Sequence, residues 1–217
     1  MMEGVGTLSN KGFIFNISFP KTGTTSVEAA LQILGFSVAH GTWRSSHTNY
    51  LYANYVNDNI DELLYFVERS KFNCFSDGPW FSPDLYRVLE KEFPNAKFIL
   101  TVRDPDKWFE SLSAMILKTG GHTDNIDGIY KGGQYGFKSW YKKVFKTSAL
   151  DKKILIDVYN KHNESAISFF KDKPNKLIQL KLESLDWEPM CTSLGKKVPN
   201  ARFPWKNFRG KIPGGKR

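Results

Sequence analysis

One short segment of this chain combines the residue types that bind phosphate-like anions. Residues 19–26 read FPKTGTTS, between an apolar stretch and a segment of helical periodicity. Backbone N–H groups at a helix N-terminus have no intrahelical partner, and the helix dipole attracts an anion there. A glycine lets the backbone approach the anion closely, hydroxyl groups donate hydrogen bonds, and a lysine adds positive charge. We call residues 19–26 the anion loop, and its predicted ligand-binding residues are Lys21, Thr22, Gly23, Thr24, Thr25 and Ser26.

The residue order in the anion loop differs from that of nucleoside triphosphatases. Their motif requires Gly-Lys-Ser/Thr, whereas Lys21 precedes Gly23 here. A nucleotide or nucleoside kinase-like enzyme, which would use magnesium and a triphosphate, is therefore the less favoured alternative. A non-enzymatic basic module for nucleic acid or sulfated glycan is a further alternative, but the basic residues are scattered and no nucleic-acid motif is present.

A second candidate anion site follows the apolar segment at residues 97–102 (KFILTV). Arg103 would leave the carboxyl end of a strand, where ligands bind in open α/β sheets. Its guanidinium fork suits a phosphate. Ser111, eight residues further on, falls on the next predicted helix and turns a hydroxyl toward the same anion. The alternative is an ion pair of the arginine with a nearby carboxylate of Asp104, Asp106 or Glu110.

Together these motifs resemble those of sulfotransferases that use 3′-phosphoadenosine-5′-phosphosulfate (PAPS). In that family a loop of this order holds the 5′-phosphosulfate, and an arginine followed eight positions later by a serine holds the 3′-phosphate. Residues 182–187 (LESLDW) and 191–204 resemble the family's late strand, short helix and final Phe-Pro segment. The resemblance implies an α/β fold in three layers, a parallel sheet flanked by helices as in P-loop nucleoside triphosphatases.

The resemblance also implies a reaction and roles for some residues. A sulfuryl group would pass from PAPS to a hydroxyl or amine of an acceptor by in-line displacement, leaving adenosine 3′,5′-bisphosphate, without a metal ion. Lys21 would be the catalytic cation at the leaving oxygen. In the basic C-terminal segment, Arg209 and Lys211 would close over the 3′-phosphate and Trp205 would pack on the adenine.

The sequence leaves more than one candidate for the general base. The family places a His or an acidic residue just after the second core strand, and here that position offers Asp77, within Ser-Asp-Gly-Pro. A carboxylate within reach of the acceptor takes its proton, but Asp77 is equally compatible with an ordinary turn. His40 and His47 are the alternative catalytic candidates. His122 and His162 are predicted on a loop and on a helix surface.

The elements that must position these residues alternate between strand and helix patterns, which favours a parallel sheet. Strands are predicted at residues 13–18, 72–76, 97–102 and 176–180. Helices are predicted at residues 24–34, 59–69, 83–93, 107–117, 139–170 and 186–194. Ser82 is predicted as the N-cap of the third helix, with Pro83 at its first position.

The segment between the fourth and fifth predicted helices is rich in glycine and polar residues. It predicts a loop or lid at residues 119–136. Residues 1–217 are interpreted as one domain, with a lid or acceptor-side insertion at about 119–147. Aromatic residues alternate with lysines over residues 130–146, which favours an amphipathic helix with a solvated basic face over an acceptor gate.

Composition sets the remaining expectations. The chain is 41% hydrophobic and 24% charged, as in globular proteins, and its net charge of +9 favours an anionic ligand. Cys74 and Cys191 form no CxxC motif, which argues against a structural metal or a disulfide. Because neither a signal sequence nor a membrane-spanning run is visible, a cytoplasmic protein is expected. Its expected partner is a small-molecule or glycan acceptor, with neither nucleic acid nor membrane.

Overall fold

A five-stranded parallel sheet forms the centre of the computed structural model, which describes residues 12–40, 46–128 and 135–206. The strands are β1 (Ile14–Asn16), β2 (Val38–His40), β3 (Cys74–Ser76), β4 (Lys97–Val102) and β5 (Leu177–Lys181). The helices are α1 (Thr24–Ile33), α2 (Ser46–Val56), α3 (Ile60–Arg69), α4 (Leu85–Glu92), α5 (Pro105–Lys118), α6 (Tyr135–Phe145), α7 (Lys152–Phe170) and α8 (Trp187–Leu194). Short 3₁₀ turns lie at Ile126–Gly128 and Leu182–Ser184.

The strand order is β2-β3-β1-β4-β5, so β1 lies at the centre of the sheet. All four strand pairings are parallel. Each residue of β1 is buried, because helices cover both faces of the sheet. The carboxyl end of β1 therefore lies between those of β3 and β4, which is the position that a ligand site of this fold requires.

Two hydrophobic clusters cover the two faces of the sheet. One joins β1, β3 and β4 to α3, α4 and α7, and Phe15 stacks on Phe75 at its centre. The other joins the opposite face to α1 and α8. The structure thus has three layers, and it confirms the α/β parallel-sheet fold expected from the sequence.

A third cluster is largely aromatic and lies around Phe19, at the start of the anion loop. It contains residues of α2, α5, α6 and α7, among them Trp108, Trp140 and Tyr159, each at most 1% exposed. Aromatic side chains bury a large area at a small cost in rotamer entropy. This cluster is the support on which the anion loop lies.

Several observed elements differ from the prediction. Strand β2 and helix α2 have no counterpart in the prediction, and the long helix predicted at residues 139–170 is divided into α6 and α7. The division occurs at Lys146, whose φ of 55° is outside the helical region, and α7 begins after Asp151, whose carboxylate accepts a hydrogen bond from Ile154 N–H at 3.0 Å. Helix α5 begins at Pro105, two residues before the predicted start, with Asp104 as its N-cap.

The predicted cap of α4 is wrong. The helix begins at Leu85, and its N-cap is Asp84 in the left-handed conformation. Ser82 is fully buried, and its hydroxyl donates to the carbonyl of Pro79 and accepts from Trp140 Nε1 at 2.8 Å. The hydroxyl is therefore used to satisfy a buried tryptophan and not the helix N-terminus.

Helix α6 has a buried aromatic face and a basic outer face, as the amphipathic interpretation expects. Trp140 and Tyr141 are at most 1% exposed. On the other side, Lys138 and Lys142 form ion pairs with Asp127 at 3.2 and 2.7 Å. Opening of residues 119–147 as a lid stays a prediction.

Among the residues described, no helix combines the length and the apolar character that crossing a membrane requires.

Candidate functional site

The candidate site lies at the carboxyl edge of the sheet, where the residues predicted from the sequence directly follow three neighbouring strands. Strand β1 leads into the anion loop, β3 into Asp77 and β4 into Arg103. The register pairs Phe15 with both Phe75 and Phe98, so the three strand ends lie side by side. Parallel strands place their carboxyl ends at the same edge, and the fold therefore brings these predicted residues together.

The anion loop turns into α1 through Gly23, which is the N-cap and has a φ of 93°. A side chain at this position would be strained, and a Cβ atom would also lie 2.6 Å from Leu182 Cδ1. Since a glycine N-cap carries no side-chain acceptor, the N–H groups of the first turn of α1 have no side-chain cap. The structure therefore offers a helix N-terminus to an anion, as the sequence predicts.

Two hydroxyls of the anion loop bind to the protein itself. Thr22 is fully buried, and its hydroxyl donates to the carbonyl of Phe19 at 2.7 Å. Ser26 is 1% exposed, and its hydroxyl accepts from the N–H of Lys206 at 2.9 Å. These contacts hold the loop and the C-terminal segment in place, and ligand binding by Thr22 and Ser26 stays a prediction. Thr24 is half-buried and Thr25 is exposed, so their hydroxyls remain accessible to a ligand.

Arg103 is directed toward the anion loop. Its Nη1 donates to the carbonyl of Lys21 at 3.2 Å. Its Nε is buried and has no hydrogen-bond partner within the described part of the chain. Ser111 lies on α5 and is partly exposed. The guanidinium therefore joins the second candidate anion site to the first and keeps a donor that the described residues do not satisfy.

Two of the three neighbouring carboxylates that the sequence offers as alternative partners of Arg103 have other contacts. Asp104 accepts from the N–H of Lys107 at 3.0 Å and so caps α5. Asp106 forms an ion pair with Lys152 at 2.8 Å. These contacts favour an external anion as the partner of the arginine.

Three residues whose structural role the sequence did not predict support the backbone of the loop. Trp108 Nε1 donates to the carbonyl of Pro20 at 3.0 Å. His162 lies 2.8 Å, through Nε2, from the carbonyl of Ile17, and its ring stacks on Phe19 at 4.6 Å. Tyr159 stacks on Trp108 at 4.3 Å. These contacts fix the backbone on both sides of the entry to the anion loop.

His162 is 3% exposed, so its predicted place on a helix surface is wrong. The signal that locates it is the spacing of the buried residues of α7, because Leu155, Tyr159, His162, Ala166 and Phe170 lie on one face. Burial lowers the pKa of His162 to about 4, and the imidazole is therefore neutral at pH 7. A carbonyl can only accept, so the Nε2 nitrogen carries the proton.

Asp77 follows β3 directly, with a φ of 68°. Its carbonyl accepts from the N–H of Trp80 at 3.1 Å, so it is a turn residue, and its position beside β1 also places it next to the anion loop. The next residue, Gly78, lies against the side chain of Tyr52, which leaves no room for a Cβ atom. Because the turn contact uses the backbone carbonyl of Asp77, the turn interpretation and the catalytic interpretation of its side chain are compatible.

The remaining candidates are only partly described. The backbone of His40 ends β2 and pairs with Ser76, and His47 lies in the first turn of α2, but the structure does not describe either side chain. Arg209 and Lys211 lie outside the described residues. The chain that leads to them reaches the anion loop, because the N–H of Lys206 bonds to Ser26.

No three His, Cys, Asp or Glu side chains within the described ranges are grouped so that they would hold a metal ion. Cys74 and Cys191 are both buried free thiols.

The comparison with known families agrees with this geometry. A family model described as "Sulfotransferase domain" matches residues 13–212, which include the whole of the sheet and the candidate site. No curated protein matches the chain at a significant level.

Replacement of Gly23 by alanine tests the turn at the loop. We expect Gly23→Ala to lower the free energy of unfolding by about 1–2 kcal/mol through the positive φ alone, and further through the contact with Leu182. Gly35→Ala is the matched control, because Gly35 has a φ of 87° but no neighbouring atom within 4 Å of the place where a Cβ atom would lie. Urea unfolding should show the larger loss for Gly23→Ala; equal losses would contradict the close packing of the loop against Leu182.

The buried histidine predicts a pH dependence of stability. The pKa of His162 is about 4 in the folded protein, below its ordinary value of 6.5, so between these values only the unfolded chain binds the proton. Stability due to His162 is complete above pH 6.5 and is lost on acidification toward pH 4, by up to about 1.4 kcal/mol per pH unit. His162→Gln does not titrate, and its loss of stability between pH 7.5 and pH 5 should be about 1–2 kcal/mol smaller than that of the wild type. Chemical unfolding at both pH values measures this difference, and equal losses would exclude a buried neutral imidazole.

Proposed function

Because the chain belongs to the sulfotransferase domain family, we propose that it transfers a sulfuryl group from PAPS to a hydroxyl or amine of an acceptor. The observation that carries this proposal is the contact between the two candidate anion sites, with Arg103 Nη1 3.2 Å from the carbonyl of Lys21. A donor phosphorylated at both the 5′ and the 3′ positions needs two anion sites close together. The unsatisfied Nε of Arg103 and the open first turn of α1 fit the two phosphates.

The residues of the anion loop would hold the 5′ side of the donor. The first N–H groups of α1 and the hydroxyls of Thr24 and Thr25 bind its oxygens, and the backbone at Thr22 and Ser26 shapes the loop. The ammonium of Lys21 neutralises the charge that develops on the oxygen that leaves sulfur. When bound, PAPS supplies the activated sulfuryl group, and the protein supplies position and charge.

Arg103 and Ser111 would hold the 3′-phosphate, and Arg209 and Lys211 would close over it from the C-terminal segment. What supports the last step is the position of Lys206, whose N–H bonds to Ser26 at the start of α1. Because Arg103 contacts the same loop, a segment that begins at this point needs only a few residues to reach the 3′-phosphate.

The acceptor side of the reaction would involve Asp77. The acceptor oxygen or nitrogen attacks sulfur in line, a new bond to sulfur forms as the bridging S–O bond breaks, and the acceptor proton passes to the base. Asp77 is proposed as this base because it leaves β3 next to the anion loop. His40, at the end of β2, is the alternative.

The proposal includes a small-molecule or glycan acceptor, a cytoplasmic location and chemistry without a metal ion. The net charge of +9 is compatible with an anionic donor, and the family's reaction needs only positioning and cationic side chains.

Binding of adenosine 3′,5′-bisphosphate tests the donor. The wild type should bind it, and Lys21→Ala and Arg103→Ala should each weaken binding roughly 10- to 100-fold, as expected for a lost charged hydrogen bond. Lys161→Ala is the control, because Lys161 is an exposed lysine of α7 paired with Asp157. Calorimetry that detects no binding to the wild type would overturn the proposal, and stronger thermal stabilisation by Mg-ATP would favour the kinase alternative.

The role of Asp77 is tested with an acceptor found by screening alcohols, sugars and phenols. Asp77→Asn should lower kcat about 100-fold or more and leave the affinity for the bisphosphate unchanged. Asp84→Asn is the matched control, since Asp84 lies on the same connection between β3 and α4 and also has a positive φ. An unchanged kcat in Asp77→Asn would remove this residue from the mechanism and leave His40 as the candidate.

A further inference from the structure

Tyr159 of α7 makes two hydrogen bonds to the backbone of a single residue. Its hydroxyl accepts from the N–H of Arg103 at 2.9 Å and donates to the carbonyl of Arg103 at 3.1 Å. The side chain is 1% exposed, and its ring stacks on Trp108 at an angle of 14°. Because this buried hydroxyl bonds to both the N–H and the carbonyl of Arg103, it fixes the position of the Arg103 backbone, from which the side chain extends.

The same helix face also holds the entry to the anion loop. His162, one turn after Tyr159, contacts the carbonyl of Ile17 and stacks on Phe19 with an interplanar angle of only 7°. Trp108, against which Tyr159 packs, donates to Pro20. Helix α7 is thus in contact, directly or through one side chain, with the backbone of both candidate anion sites.

The bond from Arg103 to Lys21 completes a closed set of contacts. A shift of the Arg103 backbone relative to the anion loop would break either this bond or the two bonds to Tyr159. The distance between the two anion sites is therefore set by packed side chains that touch no ligand themselves.

We propose that Tyr159 is a positioning residue that makes the site selective for a nucleotide with a 3′-phosphate. This inference rests on the proposed function. Tyr159 bonds directly to the backbone of Arg103 and reaches the backbone of the anion loop only through other side chains, so its effect falls mainly on the 3′-phosphate. A nucleotide that is phosphorylated only at its 5′ position has no group for Arg103 to bind, so the position of Arg103 does not raise its affinity.

Tyr159→Phe and Tyr141→Phe form a matched pair for the test. Each removes one hydroxyl from an almost fully buried ring of the same aromatic cluster. The hydroxyl of Tyr141 donates to the carbonyl of Ala149 at 2.7 Å, away from the anion loop. Tyr159→Phe loses two buried hydrogen bonds and Tyr141→Phe loses one, and only the first variant loses its contact with Arg103.

The affinities for adenosine 3′,5′-bisphosphate and for adenosine 5′-monophosphate are measured by calorimetry. Tyr159→Phe should weaken binding of the bisphosphate about tenfold, because the two hydrogen bonds that position the backbone of a charged residue are lost. Its affinity for the monophosphate should change less than about twofold, and Tyr141→Phe should leave both affinities within about twofold of the wild type. Equal weakening of both nucleotides in Tyr159→Phe would overturn the inference, because it would indicate general loosening.

A double variant separates positioning from stability. If Tyr159 acts through Arg103, adding Tyr159→Phe to Arg103→Ala should cause no further loss of bisphosphate affinity. An additional tenfold loss would contradict the inference. Failure of the wild type to bind the bisphosphate would overturn the proposed function itself, whereas a wild type that binds together with a Tyr159→Phe variant that binds equally well would overturn only the role of Tyr159.

Discussion

The turn from β1 into α1 requires a residue without a side chain, and the candidate site is arranged around that turn. Gly23 has a left-handed backbone and lies directly under Leu182, so both conformation and space exclude a Cβ atom. The turn leaves the first N–H groups of α1 without a side-chain cap and brings the carbonyl of Lys21 within reach of Arg103. The parallel sheet contributes the rest, because it places the ends of β1, β3 and β4 side by side.

The anion loop depends on a buried aromatic support. Phe19 lies in this support, and Trp108 and His162 satisfy carbonyls of the adjoining backbone. Burial keeps the imidazole neutral, since a charged ring there would lose its hydration. The groups that support the anion loop from within the protein are thus apolar or neutral. A rigid support of this kind suits chemistry in which preorganised charges stabilise a leaving oxygen.

Much of this arrangement was predictable from the sequence, and the reasons for the exceptions are physical. Apolar runs and turn residues located four of the five strands, and the motif order located the two candidate anion sites. Strand β2 is an edge strand with only two apolar residues, Val38 and Ala39, whereas the equally short β1 and β3 lie within longer apolar runs. The contacts of Ser26 and Ser82 depend on Lys206 and Trp140, which are distant in the sequence, and no local rule states where such a hydroxyl turns. The burial of His162 follows from the spacing of Leu155, Tyr159, Ala166 and Phe170, which mark the buried face of α7, whereas the histidine taken by itself does not identify that face.

The central claim is that one protein surface holds both phosphates of a 3′-phosphorylated donor, with α1 at one end and Arg103 at the other. A crystal structure of the protein with adenosine 3′,5′-bisphosphate tests it most directly. The account predicts the 5′-phosphate at the N-terminus of α1, beside Lys21 and Gly23, and the 3′-phosphate in contact with Arg103 and Ser111. A nucleotide bound elsewhere, or bound here with its 3′-phosphate away from Arg103, would contradict the account.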